Sequence, residues 1–302
     1  MGKQSRARTQ TRAARLAEVR AAQAHEERRR RLVIAIGAIC AVLVIAGGLV
    51  ALKAAGVGDM SSTGSAATAA SPQVVSAVSN VPASVLDSIG VGDATTFPKF
   101  IQAPALTANG KPRVLYVGAE YCPYCAAQRW AVAVALSRFG TWSGLGQTHS
   151  SSRDVFPNTP TLSFHGARYT SPYLSFTGYE TTTNKAQGNS YQPLDTVSPA
   201  DQAIFDKYNR APYTEGSGGI PFLNIGGSYV LSGASFSPQI LAGMTQEQVA
   251  AALSDPTSPV AKAVNGTANA FTAAICNVTK GSPAGVCNAA GVRAAAQRLT
   301  GG

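Results

Sequence analysis

Val114-Leu115-Tyr116-Val117-Gly118-Ala119-Glu120-Tyr121-Cys122-Pro123-Tyr124-Cys125 is the stretch on which the fold turns. It begins with a short, apolar, partly β-branched run led by Arg113, the pattern of a buried strand. Glu120 and Tyr121 make a turn, and a Cys-x-x-Cys follows. Residues 126–139 are dominated by strong helix formers and stop at Gly140. Within them Trp130, Val134 and Leu136 can face a sheet. Pro123 falls in the first helical turn, where its missing N–H has no intrahelical use. Cys122 therefore stands where unpaired backbone N–H groups and the positive end of a helix dipole converge. That setting favours thiolate over thiol, and the thiolate is the attacking species in disulfide exchange. A strand that ends in this spacing and feeds a helix reads as a redox pair, Cys122 and Cys125. The competing reading is half of a zinc site. A tetrahedral site needs four ligands, no second Cys-x-x-Cys exists, and His149 and His165 lack ligand spacing. The expectation is no metal and no cofactor.

About 95 residues beyond the motif comes Gly218-Gly219-Ile220-Pro221-Phe222-Leu223-Asn224-Ile225-Gly226-Gly227. An apolar strand opens directly after Ile-Pro and turns at Gly-Gly. Proline has no N–H for a ladder, so it belongs at a strand start. With Cys122 to Cys125, Ile220 and Pro221, and the strand–helix order around them, the chain resembles the thioredoxin superfamily. The Pro-Tyr dipeptide is similar to that of glutaredoxins, and the long insert is more like that of periplasmic disulfide oxidants and isomerases. The layout also looks like a family of membrane-anchored, thioredoxin-like bacterial proteins of unknown function. The resemblance implies a cis peptide at Ile220–Pro221, lying against the two sulfurs and presenting backbone to a substrate strand. An ordinary trans proline is the alternative.

Residues 32–52 are 21 residues without a charge. At about 1.5 Å per residue they span roughly 30 Å, a hydrocarbon core. Ten Lys or Arg against three Glu precede them, ending in Arg28-Arg29-Arg30-Arg31, and only Lys53 follows for a long stretch. The positive-inside rule puts the N-terminus in the cytoplasm and the remainder outside. Both the basic arm and the apolar run are too long for a cleaved signal peptide, so the expectation is an uncleaved, single-pass anchor. The net charge of +10 is thus mostly that of the arm, because the rest holds 15 basic against 12 acidic residues. A nearly neutral outer part gives no sign of nucleic-acid binding. Small residues in the span are compatible with helix pairing, and Cys40 reads as a small apolar residue within it.

The expected organisation is a basic arm (1–31), a transmembrane helix (32–52), a flexible Gly/Ser/Thr/Ala linker (53–73) and one extracytoplasmic domain (74–302). The fold class expected is α/β, thioredoxin-like, with an elaborated middle. Residues 161–164 read as a core strand of the sheet, and 173–176 as a surface hairpin or another strand. Residues 198–208 read as a helix with Ser198 as cap and Pro199 in its first turn. Residues 222–225 and 228–231 read as a hairpin about Gly226-Gly227. Thr245 and Gln248 have capping-box spacing at a helix start. Cys276 and Cys287, with ten residues between them, read as a loop disulfide in an oxidising compartment, a second redox pair being the alternative.

The function expected is a membrane-anchored thiol–disulfide oxidoreductase. Cys122 is its nucleophile, Cys125 resolves the mixed disulfide, and Tyr121, Tyr124, Ile220 and Pro221 contact substrate. Glu120 reads as an exposed turn carboxylate, with proton acceptance near Cys125 as the sharper alternative. Partners are exported proteins bearing thiols or disulfides, a membrane redox partner, and the bilayer through residues 32–52. A thioredoxin-like binding module with a static disulfide is the rival, and metal carriage by the two thiols a third reading. The direction of transfer stays open, because a dipeptide alone does not set thiolate stability.

Overall fold

Val114 and Tyr116 point into one apolar cluster and Leu115 and Val117 into another. Successive residues of a strand face opposite sides, so this run is apolar throughout because both sides of its sheet are covered. The computed structural model describes residues 66–215 and 218–300. The fold is mixed α/β. In chain order its elements are β1 (Thr68–Ala69), α1 (Pro72–Ser79), α2 (Ala83–Ile89), β2 (Lys99–Phe100), β3 (Thr107–Ala108), β4 (Lys111–Gly118) and α3 (Pro123–Ser137). Then come β5 (Thr141–Ser143), β6 (Gly146–His149), β7 (Pro160–Ser163), β8 (Arg168–Thr170), β9 (Ser175–Glu180), β10 (Thr182–Gln187) and β11 (Ser190–Pro193). The chain continues with α4 (Pro199–Tyr208), β12 (Phe222–Ile225), β13 (Tyr229–Ser232), α5 (Gln246–Ala252), α6 (Pro259–Val278), α7 (Ala284–Cys287) and α8 (Ala290–Thr300).

β4 is the central strand. It runs parallel to β9, with Val117 opposite Tyr179, and antiparallel to β12, with Val117 opposite Phe222. β13 folds back on β12, β2 extends the sheet beyond β13, and β3 pairs with the first residues of β4. The hairpin turns at Gly226 and Gly227 as its sequence predicts. Gly227 has φ 81°, and a Cβ there would lie 2.2 Å from the Pro104 carbonyl oxygen, so only glycine fits. One side of the sheet packs on α3 and α6, through Trp130, Val134, Leu136, Phe271 and Ile275. The other packs on Ile204, Phe205 and Tyr208 of α4. Ser198 caps α4 by accepting from the Asp201 N–H, and the partly buried Arg113–Asp201 ion pair ties that helix to β4. The capping box of Thr245 and Gln248 opens α5 as read.

Three readings are corrected. Residues 161–164 do not enter the central sheet. β7 pairs with β6 in a separate three-stranded sheet with β1, and the second run, 173–176, leads into β9 beside β4. The β7 side chains Thr161 and Ser163 are fully buried because they hydrogen-bond within the interior, to Ala126 and Glu120, so burial there did not imply the main sheet. Cys276 is not in a loop but in the last turns of α6. That helix is buried over most of its length. Small residues let neighbours close in on it, as where a Cβ on Gly266 would meet the Val91 carbonyl oxygen at 2.3 Å. Finally, the linker read over 53–73 is shorter at its end, since Thr68 and Ala69 already pair with Gln147 and Gly146. The basic arm, the span 32–52 and Cys40 lie outside the described residues. Among the described residues no helix is long and apolar enough to cross a membrane.

Candidate functional site

Gly118 ends β4 and has to be glycine, because the Tyr116 ring folds over it. A Cβ at 118 would lie 2.3 Å from the Tyr116 hydroxyl oxygen. The chain then turns and starts α3 with Cys122 as its N-cap, in extended conformation (φ −75°, ψ 119°), and Pro123 in the first turn. The Cys122 sulfur does what a Ser or Asp oxygen does at a cap. It accepts the Cys125 N–H at 3.1 Å. The two sulfurs are unjoined. Cys122 keeps 5 % of its surface exposed and Cys125 none, so an incoming group meets Cys122 first.

The register of β12 against β4 brings the preceding dipeptide to the motif. Phe222 lies opposite Val117, so Pro221 sits beside the end of β4. The Ile220–Pro221 peptide is cis, and the Cys122 thiol reaches the Ile220 carbonyl oxygen at 3.8 Å. Of the residues singled out in the sequence, Cys122, Cys125, Ile220 and Pro221 thus meet at one place.

Beneath them is a polar cluster that the sequence reading missed. Arg129 lies one turn beyond Cys125 on α3 and is fully buried with Glu180 of β9. Its Nε and Nη2 donate to the two Glu180 carboxylate oxygens at 2.7 and 2.6 Å. Nη2 also donates to the Ala119 carbonyl at 2.5 Å and Nη1 to the Thr161 hydroxyl at 3.2 Å. Glu120 is not an exposed turn carboxylate. It is 1 % exposed and accepts the Ser163 hydroxyl at 2.7 Å. The hydroxyl of Tyr116, also in this interior, has no hydrogen-bond partner among the described residues. The only sequence signal for the cluster is weak: an Arg four residues after Cys125 in an otherwise apolar helix.

These charges act on the thiols. Burial pushes both up. At Cys122 the hydrogen bonds from Cys125, followed by the charge on Arg129, outweigh burial and hold the thiol below its ordinary value. At Cys125 burial prevails, reinforced by Cys122, and the thiol stands well above it. Burial pulls Arg129 down, but Glu180 more than offsets this and keeps the guanidinium charged. Burial raises Glu180 despite Arg129, and burial raises Tyr116 well above the phenol range.

The rim is aromatic. Tyr121 stacks on Tyr191 of β11, with ring centres 4.2 Å apart, and the Tyr191 hydroxyl donates to Ser151 at 2.7 Å. Tyr124 is 42 % exposed and meets Phe156 edge-on at 5.7 Å. Tyr121 and Tyr124 therefore do border Cys122, while Tyr191 and Phe156 come from the middle segment. Cys276 and Cys287 are joined, with Cα atoms 5.5 Å apart. They belong to another end of the molecule: Val278, two residues on, packs at the Gly226 turn, the end of β12 away from Pro221. Four residues of strand, roughly 13 Å, intervene, so that pair has no direct contact with Cys122. His149 approaches Gln246, and His165 pairs with Asp195. No group of three or more metal-ligating side chains occurs among the described residues.

No curated protein and no solved structure matches the chain. A family model does, over residues 99–277, from β2 nearly to the end of α6 and across both Cys122–Cys125 and Ile220–Pro221. That match spans more than half of the sequence, and the chain belongs to the family described as Domain of unknown function (DUF929).

Proposed function

We propose that the chain is a membrane-anchored, extracytoplasmic thiol–disulfide oxidoreductase with a thioredoxin-like core and an elaborated middle. One observation carries the reading. The Cys122 sulfur caps α3, takes the Cys125 N–H at 3.1 Å and lies 3.8 Å from the carbonyl of Ile220, ahead of a cis proline. The strand order β9–β4–β12–β13, with α3 leaving the motif and Pro221 opening β12, supports the thioredoxin-like core. The uninterrupted apolar run 32–52 behind a basic arm supports the anchor and the outward domain.

In this reading Cys122 forms a mixed disulfide with a cysteine of an exported protein, and Cys125 attacks Cys122 to release it, or is the leaving thiolate in the opposite direction. The backbone of Ile220 and Pro221 borders the bound segment, and Tyr121 and Tyr124 supply an apolar wall for it. Cys276–Cys287 ties α6 to α7 and takes no part in exchange.

The test is trapping. Cys125→Ala in the full chain leaves the mixed disulfide unresolved, so covalent adducts through Cys122 accumulate with thiol-bearing exported proteins. No adducts, together with a wild-type chain inert toward dithiols and disulfides, leaves the static binding module as the function.

A further inference from the structure

Arg129 and Glu180 have no surface of their own, so they meet no partner from outside. A buried ion pair is poor evidence for stability, since apolar side chains of similar volume often do as well. Its position, however, relates to the sulfurs. Arg129 shares α3 with both cysteines, and its Nη2 donates to the carbonyl of Ala119, three residues before Cys122. The guanidinium therefore lies under the joint between the end of β4 and the start of α3. Glu180 answers it from across the joint, at the end of β9 opposite Gly118, where the Phe164 N–H also reaches the carboxylate at 3.3 Å. The pair is neutral in sum but oriented, with its cation on the element that carries the thiols.

We propose that Arg129 is a positioning residue for the dithiol: locked by Glu180, its charge favours the open thiolate–thiol pair over the disulfide and makes the chain a donor of disulfides. This rests on the oxidoreductase reading and adds its direction. A substrate thiolate attacks the Cys122 sulfur of the Cys122–Cys125 disulfide, the S–S bond breaks, and Cys125 leaves as thiolate and takes a proton. The substrate's second thiolate attacks the substrate sulfur of the mixed disulfide, and Cys122 leaves as thiolate. Two electrons pass from the substrate dithiol to the pair. Of the two protons lost, one goes to Cys125 and one to water. A stabilised Cys122 thiolate is the better leaving group, and a stabilised reduced form makes the stronger oxidant.

The titratable groups that act on Cys122 are Tyr116 from β4, Tyr121 from the turn, and Cys125 and Arg129 from α3; Glu180 of β9 acts on Cys125, and Glu120 acts on Glu180. Two variants separate the Arg129 charge from the rest. Glu180→Gln keeps the guanidinium and removes its counter-charge. The double variant Arg129→Met/Glu180→Met removes both without stranding a buried ion. The full chain in detergent is alkylated across pH, with Cys122 followed by peptide mass spectrometry, and is equilibrated with glutathione buffers. Glu180→Gln lowers the pH midpoint of Cys122 and moves the equilibrium toward dithiol. The double variant raises the midpoint by about one unit and moves the equilibrium about tenfold toward disulfide. Either variant, if folded, with an unchanged midpoint and equilibrium, or with the opposite sign, overturns the assignment. A wild-type chain inert to all thiols whose midpoints still shift as stated removes the oxidoreductase reading and the donor role, and leaves the electrostatic role of Arg129. A wild-type chain that exchanges, with midpoints unmoved, keeps the oxidoreductase reading and removes both the role of Arg129 and the direction argued from it.

Discussion

The amide of Cys125 donates to the sulfur of Cys122 across 3.1 Å, so the deeper cysteine holds the outer one ready through its backbone as well as through its thiol. With the charge on Arg129, this more than offsets burial at Cys122, whereas at Cys125 burial prevails. Iodoacetamide at pH 7 is expected to modify Cys122 and spare Cys125, with the Cys122 midpoint below the free-thiol value of about 8.5. The sign for stability follows from the lowered value. The contribution of Cys122 to the reduced protein is fully present above the unfolded thiol value and is lost as pH falls through the folded one. Denaturant titrations of the reduced full chain at several pH values, against Cys122→Ser, measure it.

Tyr116 lies over Gly118, and its buried hydroxyl has no partner among the described residues. Gly118→Ala forces the ring out and is expected to destabilise by about 1–3 kcal/mol. Tyr116→Phe removes an unsatisfied polar atom and is expected to change stability by less than about 1 kcal/mol, in the stabilising direction. A large loss from Tyr116→Phe in thermal or denaturant unfolding contradicts the isolation of that hydroxyl.

Cys276 and Cys287 close a short loop at the far end of β12 from Pro221. Replacing both with Ser is expected to cost about 3 kcal/mol, mainly by freeing the unfolded chain, with the rate of exchange at Cys122 unaltered in conditions where the variant is folded. Stopped-flow exchange with a model disulfide and denaturant unfolding on the same sample separate the two effects. A changed exchange rate in the folded variant contradicts the separation of the two cysteine pairs.

Tyr124 and Phe156 form an exposed aromatic edge beside Cys122. Tyr124→Ser is expected to raise KM for an unfolded, cysteine-bearing polypeptide about tenfold or less, an order appropriate to losing part of one aromatic contact. It leaves the rate with a small aromatic disulfide within about twofold, since such a probe spans little of the wall. Equal losses with both substrates mean that Tyr124 acts on the thiols and not on the bound chain.

Much of the site was legible because its chemistry is local. The cap at Cys122, the tolerance of Pro123, the Ser198 cap and the Thr245–Gln248 box each depend on residues within one turn of helix, and each formed as the spacing indicates. Pro221 at a strand start and the Gly226–Gly227 turn are likewise short-range. Residues 161–164 and 173–176 were harder. Both are short β-like runs, and nothing local tells which one lies beside β4 after the chain has made its excursion through β5 to β8.

By itself the sequence determined two sulfurs at the leading end of a helix, a proline-led strand able to face them, and a charge-free run long enough to span a bilayer. Only the tertiary structure decided what lies underneath. Arg129 finds its counter-ion 51 residues away on β9, and Glu120 leaves water because Ser163 of a different sheet meets it. A charged side chain is costly to bury unless a partner satisfies it. Which partner arrives depends on strand register and sheet order, and these follow from the packing of the whole chain.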